Sequence, residues 1–155
     1  MFEGKIIRIN GPIIQAEGMT GCGLYDVVEA GELGLVGEII RLNENIATIQ
    51  LYEDNTGMKV GEKVVSQGAP LSVLLGPGLI GQIYDGIQRP LDELFQLEGF
   101  GLKPGKKTSS IDIEKKWFFK PLLKEGETVS PGIPWGAVQE TDRLSHPVFL
   151  PPNLR

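Results

Sequence analysis

The sequence from Gly61 to Leu91 reads GEKVVSQGAPLSVLLGPGLIGQIYDGIQRPL and separates two parts of the chain that differ in character. These 31 residues contain six glycines and three prolines. Glycine reaches backbone angles that are closed to other residues, and proline fixes φ and lacks an amide donor. The stretch is therefore predicted to be a connector with an irregular path, and neither a long helix nor a central strand.

Short apolar segments alternate with turn residues before this connector. Within one of them, Val36, Ile40 and Leu42 recur with a period of two and are predicted to share one face of a strand. Six such short strands joined by tight turns predict a small closed barrel, which leaves no unpaired sheet edge. The candidate strands are Gly4–Asn10, Pro12–Glu17, Leu24–Ala30, Leu33–Leu42, Ala47–Leu51 and Lys63–Gln67.

A short helix is predicted where the connector ends. Pro90 suits the first helical turn, and Leu91, Leu94 and Phe95 lie at i, i+3 and i+4. Gly99 and Gly101 are expected to end the helix.

The last third of the chain is predicted to be a second small β domain. Its candidate strands are Ile111–Phe119 and Leu122–Leu123, and residues 123–138 resemble the half-barrel sandwich of biotinyl and lipoyl carrier domains. Arg143 stands where a carrier domain has its modified lysine, and a guanidinium stays protonated and cannot accept an acyl group. We therefore expect a carrier-like fold without carrier function. The predicted class is all-β, with a barrel at 1–68, a connector with a short helix at 69–99, and a barrel-sandwich-hybrid domain at 100–155 whose completeness is open.

Three strings resemble the catalytic A subunit of rotary V-type and archaeal A-type ATPases. They are GPGLIGQIYDGIQRPL (76–91), GAPLSVLLGPG (68–78) and YEDNTGMKVGE (52–62). The resemblance extends from Gly4 to about Leu97 and is looser beyond it, where the family has an outer insertion called the bulge. It implies an N-terminal fragment whose barrel packs beside B-subunit barrels in an alternating hexamer.

The same resemblance implies what the parent protein does. The parent hydrolyses or synthesises ATP, couples this to proton or sodium transport, and binds ATP and Mg in a central domain. It lies at the cytoplasmic face of a membrane without inserting, which agrees with the absence of any apolar run near 18 residues and with the single Cys22. A free-standing, non-catalytic scaffold module with a carrier-like sandwich is the alternative interpretation.

Two segments of this sequence resemble phosphate-binding motifs, but neither meets all the requirements of its motif. Residues 99–108 approach G-x-x-x-x-G-K-[ST], but the glycine spacing is wrong and Lys107 replaces the serine or threonine. Gly76–Gly81 fits G-x-G-x-x-G, yet Gly86 interrupts the helix that a dinucleotide site needs. We predict no catalytic, cofactor-binding or metal-binding residue here, and interpret His146 as a turn or surface residue.

Lysine is concentrated after the predicted helix. From Lys103 to Lys124 there are seven lysines against two acidic residues, a local charge of +5, so the rest of the chain sums to −10. That acidic remainder disfavours nucleic acid as a partner. The expected contact with a peripheral stalk involves Lys103, Lys106, Lys107, Lys115 and Lys116. A solvated loop without a partner is the other interpretation.

Overall fold

A computed structural model of the chain describes residues 1–99 and 103–152. The chain forms two compact units, Met1–Val73 with Glu93–Lys107, and Leu74–Asp92 with Thr108–Arg155. The sequence-based limits of 1–68, 69–99 and 100–155 stay a prediction.

Six antiparallel strands of the first unit form a closed barrel in the order β1-β2-β5-β4-β3-β6. The strands are β1 Phe2–Asn10, β2 Ile13–Glu17, β3 Asp26–Ala30, β4 Leu35–Asn43, β5 Ile46–Leu51 and β6 Lys63–Pro70. The predicted six-stranded barrel is therefore confirmed. The third strand begins two residues later than predicted because Tyr25 has a φ of 68°, outside the β region.

The barrel interior is filled by apolar side chains from all six strands and from the loop after β2. Alternate residues of a strand point to the same face, so each strand contributes its inward-facing residues to one core. The buried cluster consists of Ile6, Ile14, Ala16, Met19, Val28, Ala30, Leu35, Ile39, Ala47, Ile49, Leu51 and Val64.

A β-bulge changes the phase of β4 halfway along the strand. The pairing of β4 with β5 shifts between Ile39 and Arg41, so Ile40 is an extra residue. Ile40 is 38% exposed, whereas Leu42 packs against the barrel core. The common face predicted for Val36, Ile40 and Leu42 is therefore wrong, because strict alternation does not continue through a bulge.

The predicted helix is present as α1, Leu91–Glu98. Leu94 is buried at 1% exposure. The Gly99 N–H donates to the Phe95 carbonyl at 2.8 Å, and Gly99 has the positive φ, 72°, that is typical after a helix. Gly101 lies outside the described residues. Within the described part of the chain, no helix is long and apolar enough to cross a membrane.

The second unit contains an antiparallel sheet of three strands in the order β7-β8-β9. These are β7 Phe119–Pro121, β8 Pro134–Thr141 and β9 Leu144–Phe149. The predicted strands Ile111–Phe119 and Leu122–Leu123 are wrong except at Phe119. The Asp112 carboxylate accepts the N–H groups of Glu114 and Lys115 at 3.0 and 3.2 Å, which makes a turn instead of a strand.

Candidate functional site

The glycine-rich loop Gly76–Gly81 binds a carboxylate of its own chain. The Gly78 N–H donates to Oε1 of Glu140 on β8 at 2.6 Å. Gly78 has a φ of 102° and Gly81 a φ of 90°, conformations that favour glycine. The G-x-G-x-x-G pattern therefore shapes a loop around an anion, and that anion is a side chain.

His146 on β9 completes this arrangement. Its Nε2 contacts Oε2 of Glu140, so both oxygens of the carboxylate have partners. The Glu140 side chain is 4% exposed and that of His146 31%. The hydrogen bond from Gly78 lowers the pKa of Glu140, burial opposes this, and His146 lowers the pKa further.

Sequence reasoning missed this pair and interpreted His146 as a turn or surface residue. The structure places His146 in a strand, where it is half-buried. A register shift between Gln139 and Thr141 makes Glu140 an extra residue of β8, and nothing in the local sequence marks that shift. The two-residue turn that follows contains Arg143, so the residue that takes the place of a carrier lysine lies at the tip of a hairpin.

A second carboxylate organises the connector at Asp85. Its Oδ1 accepts the N–H groups of Ile87 and Arg89 at 3.0 and 2.9 Å, and its Oδ2 accepts Nε of Arg89 at 2.7 Å. Burial raises the pKa of Asp85, but the backbone and side-chain hydrogen bonds from Arg89 and Ile87 outweigh burial, so the pKa is lowered. The Arg89 and Asp85 side chains are only 12% and 19% exposed, so this pair is shielded from solvent and its charge-assisted bonds are strong.

Two neutral side chains fix the connector further. Gln88, with a φ of 62°, accepts the Leu74 N–H at 2.8 Å and donates to the Leu74 carbonyl at 2.7 Å. The Tyr84 hydroxyl donates to the Ser110 carbonyl at 3.0 Å. The predicted irregular path is confirmed after Pro70, where side-chain-to-backbone hydrogen bonds hold it. Within the same stretch, Lys63–Pro70 is instead strand β6 and pairs with both β1 and β3, so the prediction that no central strand lies there is wrong.

The five lysines of the predicted stalk contact belong to different units. Lys107 Nζ lies 2.6 Å from Oε2 of Glu29 on the barrel, and Lys115 Nζ lies 4.2 Å from the centre of the Trp117 ring. Lys103, Lys106 and Lys107 belong to the first unit, and Lys115 and Lys116 to the second. All five are exposed, and their contact with a stalk stays a prediction.

The other sequence candidates show no assembled chemistry in the described part of the chain. No group of three or more His, Cys, Asp or Glu side chains is placed there to hold a metal ion. Burial raises the pKa of the Cys22 thiol, which reduces its reactivity. The Asp54 carboxylate accepts the Thr56 N–H at 3.1 Å and closes a turn. The P-loop lookalike at 99–108 lies partly outside the described residues.

Comparison with known proteins agrees with this architecture. Residues 6–68 match the model of the ATP synthase alpha/beta family, beta-barrel domain, and residues 108–155 match that of the ATPsynthase alpha/beta subunit barrel-sandwich domain. A solved structure of the assembled ATPase EscN in complex with its central stalk EscO, from the type III secretion system of enteropathogenic E. coli, is also similar. Its TM-score is 0.52 at 30% identity, covering 56% of this chain and 21% of that chain.

Curated relatives show which member of this family the chain resembles. The chain is 49% identical over 152 residues to the A subunit of the A-type ATP synthase of Staphylothermus marinus, and 48% identical over 151 residues to the same protein of Thermoplasma acidophilum. These matches cover 98% and 97% of this chain but 26% and 20% of the relatives, so the chain spans about a quarter of their length. The chain belongs to the ATP synthase alpha/beta family, and it corresponds to the barrel and barrel-sandwich regions of the A subunit of A-type ATP synthases.

Proposed function

We propose that this chain serves the assembly of a rotary ATP synthase or ATPase of the A or V type. Its barrel packs between the barrels of B subunits in an alternating hexamer. The parent protein couples ATP hydrolysis or synthesis to proton or sodium transport at the cytoplasmic face of a membrane, and it binds ATP and Mg outside this chain. The identity to the A subunit of A-type ATP synthases over nearly the whole chain supports this proposal.

The exposed position of Tyr25 on the barrel is the observation that best supports a role in assembly. A closed barrel offers no free strand edge, so a neighbour contacts it through side chains and loops. The Tyr25 side chain is 62% exposed. Its backbone has a φ of 68°, which is unfavourable for a large residue. Its N–H donates to the Ile39 carbonyl at 2.8 Å, which holds this conformation. Tyrosine is enriched at the energetic centres of interfaces, and strain of this kind is concentrated at functional positions.

The test compares Tyr25→Ala with Tyr52→Ala in the full-length parent protein mixed with its B partner. Alanine meets the same φ requirement at position 25, so the variant removes the ring with little change in backbone strain. We expect assembly to weaken about tenfold for Tyr25→Ala, as for a moderate interface residue, and to change little for Tyr52→Ala. Analytical ultracentrifugation measures both affinities. Equal affinities for the two variants would show that Tyr25 does not contribute to the interface.

The lysines are proposed to bind a peripheral stalk. Lys107 is left out of the test because a carboxylate at this position would lie against the Glu29 carboxylate and repel it. The triple variant Lys106→Glu, Lys115→Glu and Lys116→Glu is expected to weaken stalk binding and to reduce its salt dependence. The matched control reverses Lys5, Arg8 and Lys59, which are exposed on the barrel unit. Equal losses in both variants would assign the effect to net charge, and the lysine contact would be rejected.

A further inference from the structure

The geometry of the connector points to a binding site: we propose that Gly76–Gly81 is a carboxylate-binding loop that Glu140 fills from within the same chain. In this proposal Glu140 is a positioning residue, and the loop itself has an intrinsic affinity for a small carboxylate. The proposal concerns the second unit alone and is independent of the assembly function.

Among the described residues, a backbone amide and the His146 side chain are the two partners that the structure gives the carboxylate. The Gly78 N–H is 2.6 Å from Glu140 Oε1, a short distance that is typical of a charge-assisted hydrogen bond. The positive φ of Gly78, which glycine adopts without steric cost, lets the loop present this amide to the anion.

The chemistry of the site favours a carboxylate over a phosphate. One oxygen of Glu140 contacts the loop, and the other contacts Nε2 of His146 on β9. A planar anion with two oxygens thus has both of them bonded in a nearly buried position. A phosphate would bring further charged oxygens into the same space, and such oxygens need donors of their own.

A consequence of this arrangement is that an empty loop should accept a free carboxylate. Glu140→Ala removes the occupant and leaves Gly78 and His146 in place. Formate is the smallest carboxylate and fits the volume that the side chain vacates. The loop should lose its order in the variant and recover it when formate binds.

The experiment follows the backbone amides of the 155-residue chain by NMR. In Glu140→Ala we expect the Gly78 amide to exchange about tenfold faster and its proton resonance to move upfield. Formate should restore both properties saturably, whereas sodium chloride at equal ionic strength should not. Glu125→Ala, which removes an exposed carboxylate of the same unit, is the matched control and should respond to neither salt.

A second measurement uses the unmodified chain, so its result does not depend on whether the Glu140→Ala variant folds. A scalar coupling across the hydrogen bond between Gly78 nitrogen and Glu140 Cδ is expected, and its absence would overturn the proposal. Failure of formate to restore the loop in a folded Glu140→Ala chain would overturn it as well. Saturable rescue by formate together with the coupling would establish the site.

Discussion

The barrel and the second unit are held together by different interactions. The barrel buries a cluster of twelve apolar side chains. Among the described residues of the second unit, the buried apolar side chains are those of Pro90 and Val138, the latter at 9% exposure. Leu75, Ile113 and Phe118 of that unit are 80% or more exposed. Asp85 and Glu140 instead fix its loops through short hydrogen bonds.

This difference separates two ways of specifying a structure. Burial of apolar surface contributes about 25 cal/mol per Å², does not depend on direction, and is insensitive to the protonation of any single group. Hydrogen bonds to a carboxylate depend on geometry and on charge, and one substitution or a fall in pH removes several together. The barrel should therefore respond to lost volume, and the second unit to lost charge.

The largest effect is expected from a cavity in the barrel. Ile49→Ala removes a fully buried side chain at 0% exposure and should lower the free energy of unfolding by about 2–5 kcal/mol. Urea denaturation measures the change. Ile40→Ala is the matched control, because this residue is turned outward by the bulge and is 38% exposed, and its cost should stay below about 1 kcal/mol. Similar costs for both variants would contradict the assignment of the bulge.

A pair of glycines tests the packing around the backbone. Gly105 of the first unit has a φ of 77°, and an added Cβ would lie 2.2 Å from the Leu33 carbonyl oxygen. Gly126 of the second unit has a φ of 90° and open space around it. Alanine at 126 should cost about 1 kcal/mol in backbone strain alone. At 105 the contact with a backbone atom adds to the strain, for about 2–4 kcal/mol in total by urea denaturation. Equal costs would show that the chain at 105 moves away freely.

The same contrast explains how far the sequence could predict the structure. Period-two patterns identify the six strands because each pattern is local to its strand. Strict alternation fails at Ile40, since a bulge has no sequence signature of its own. The contact between Gly78 and Glu140 joins residues 62 positions apart, and no local pattern relates them. Sequence reasoning therefore predicted the barrel and the irregular connector, but it did not find the carboxylate that fixes the connector.

Acid should loosen the connector before it affects the barrel. The pKa of Asp85 is lowered in the folded chain, so its contribution is present above the ordinary aspartate pKa and is lost as the pH falls through the lowered value. Amide protection at Ile87 and Arg89, corrected for intrinsic exchange, should decrease over that range while the barrel amides stay protected. Asp85→Asn should cost about 1–2 kcal/mol at neutral pH, measured from the same amides, and should abolish their titration. A titration that persists in Asp85→Asn would assign the acid response to another group.

The smallest effect is expected from the ion pair between Lys107 and Glu29, which is a polar contact in the unit that burial dominates. The two side chains are 61% and 36% exposed, so solvent screens the pair, and a double-mutant cycle with Lys107→Ala and Glu29→Ala should give a coupling of about 0.5 kcal/mol or less. The Lys63–Glu3 pair on the same unit, with side chains 56% and 63% exposed, is the control and should give a similar value. The coupling should decrease with salt. A coupling well above about 1 kcal/mol for Lys107 and Glu29, but not for Lys63 and Glu3, would mean that charge fixes residues 103–107, as it fixes the connector. The first unit would then depend on charged contacts as well as on burial, and the contrast between the two units would not hold for residues 103–107.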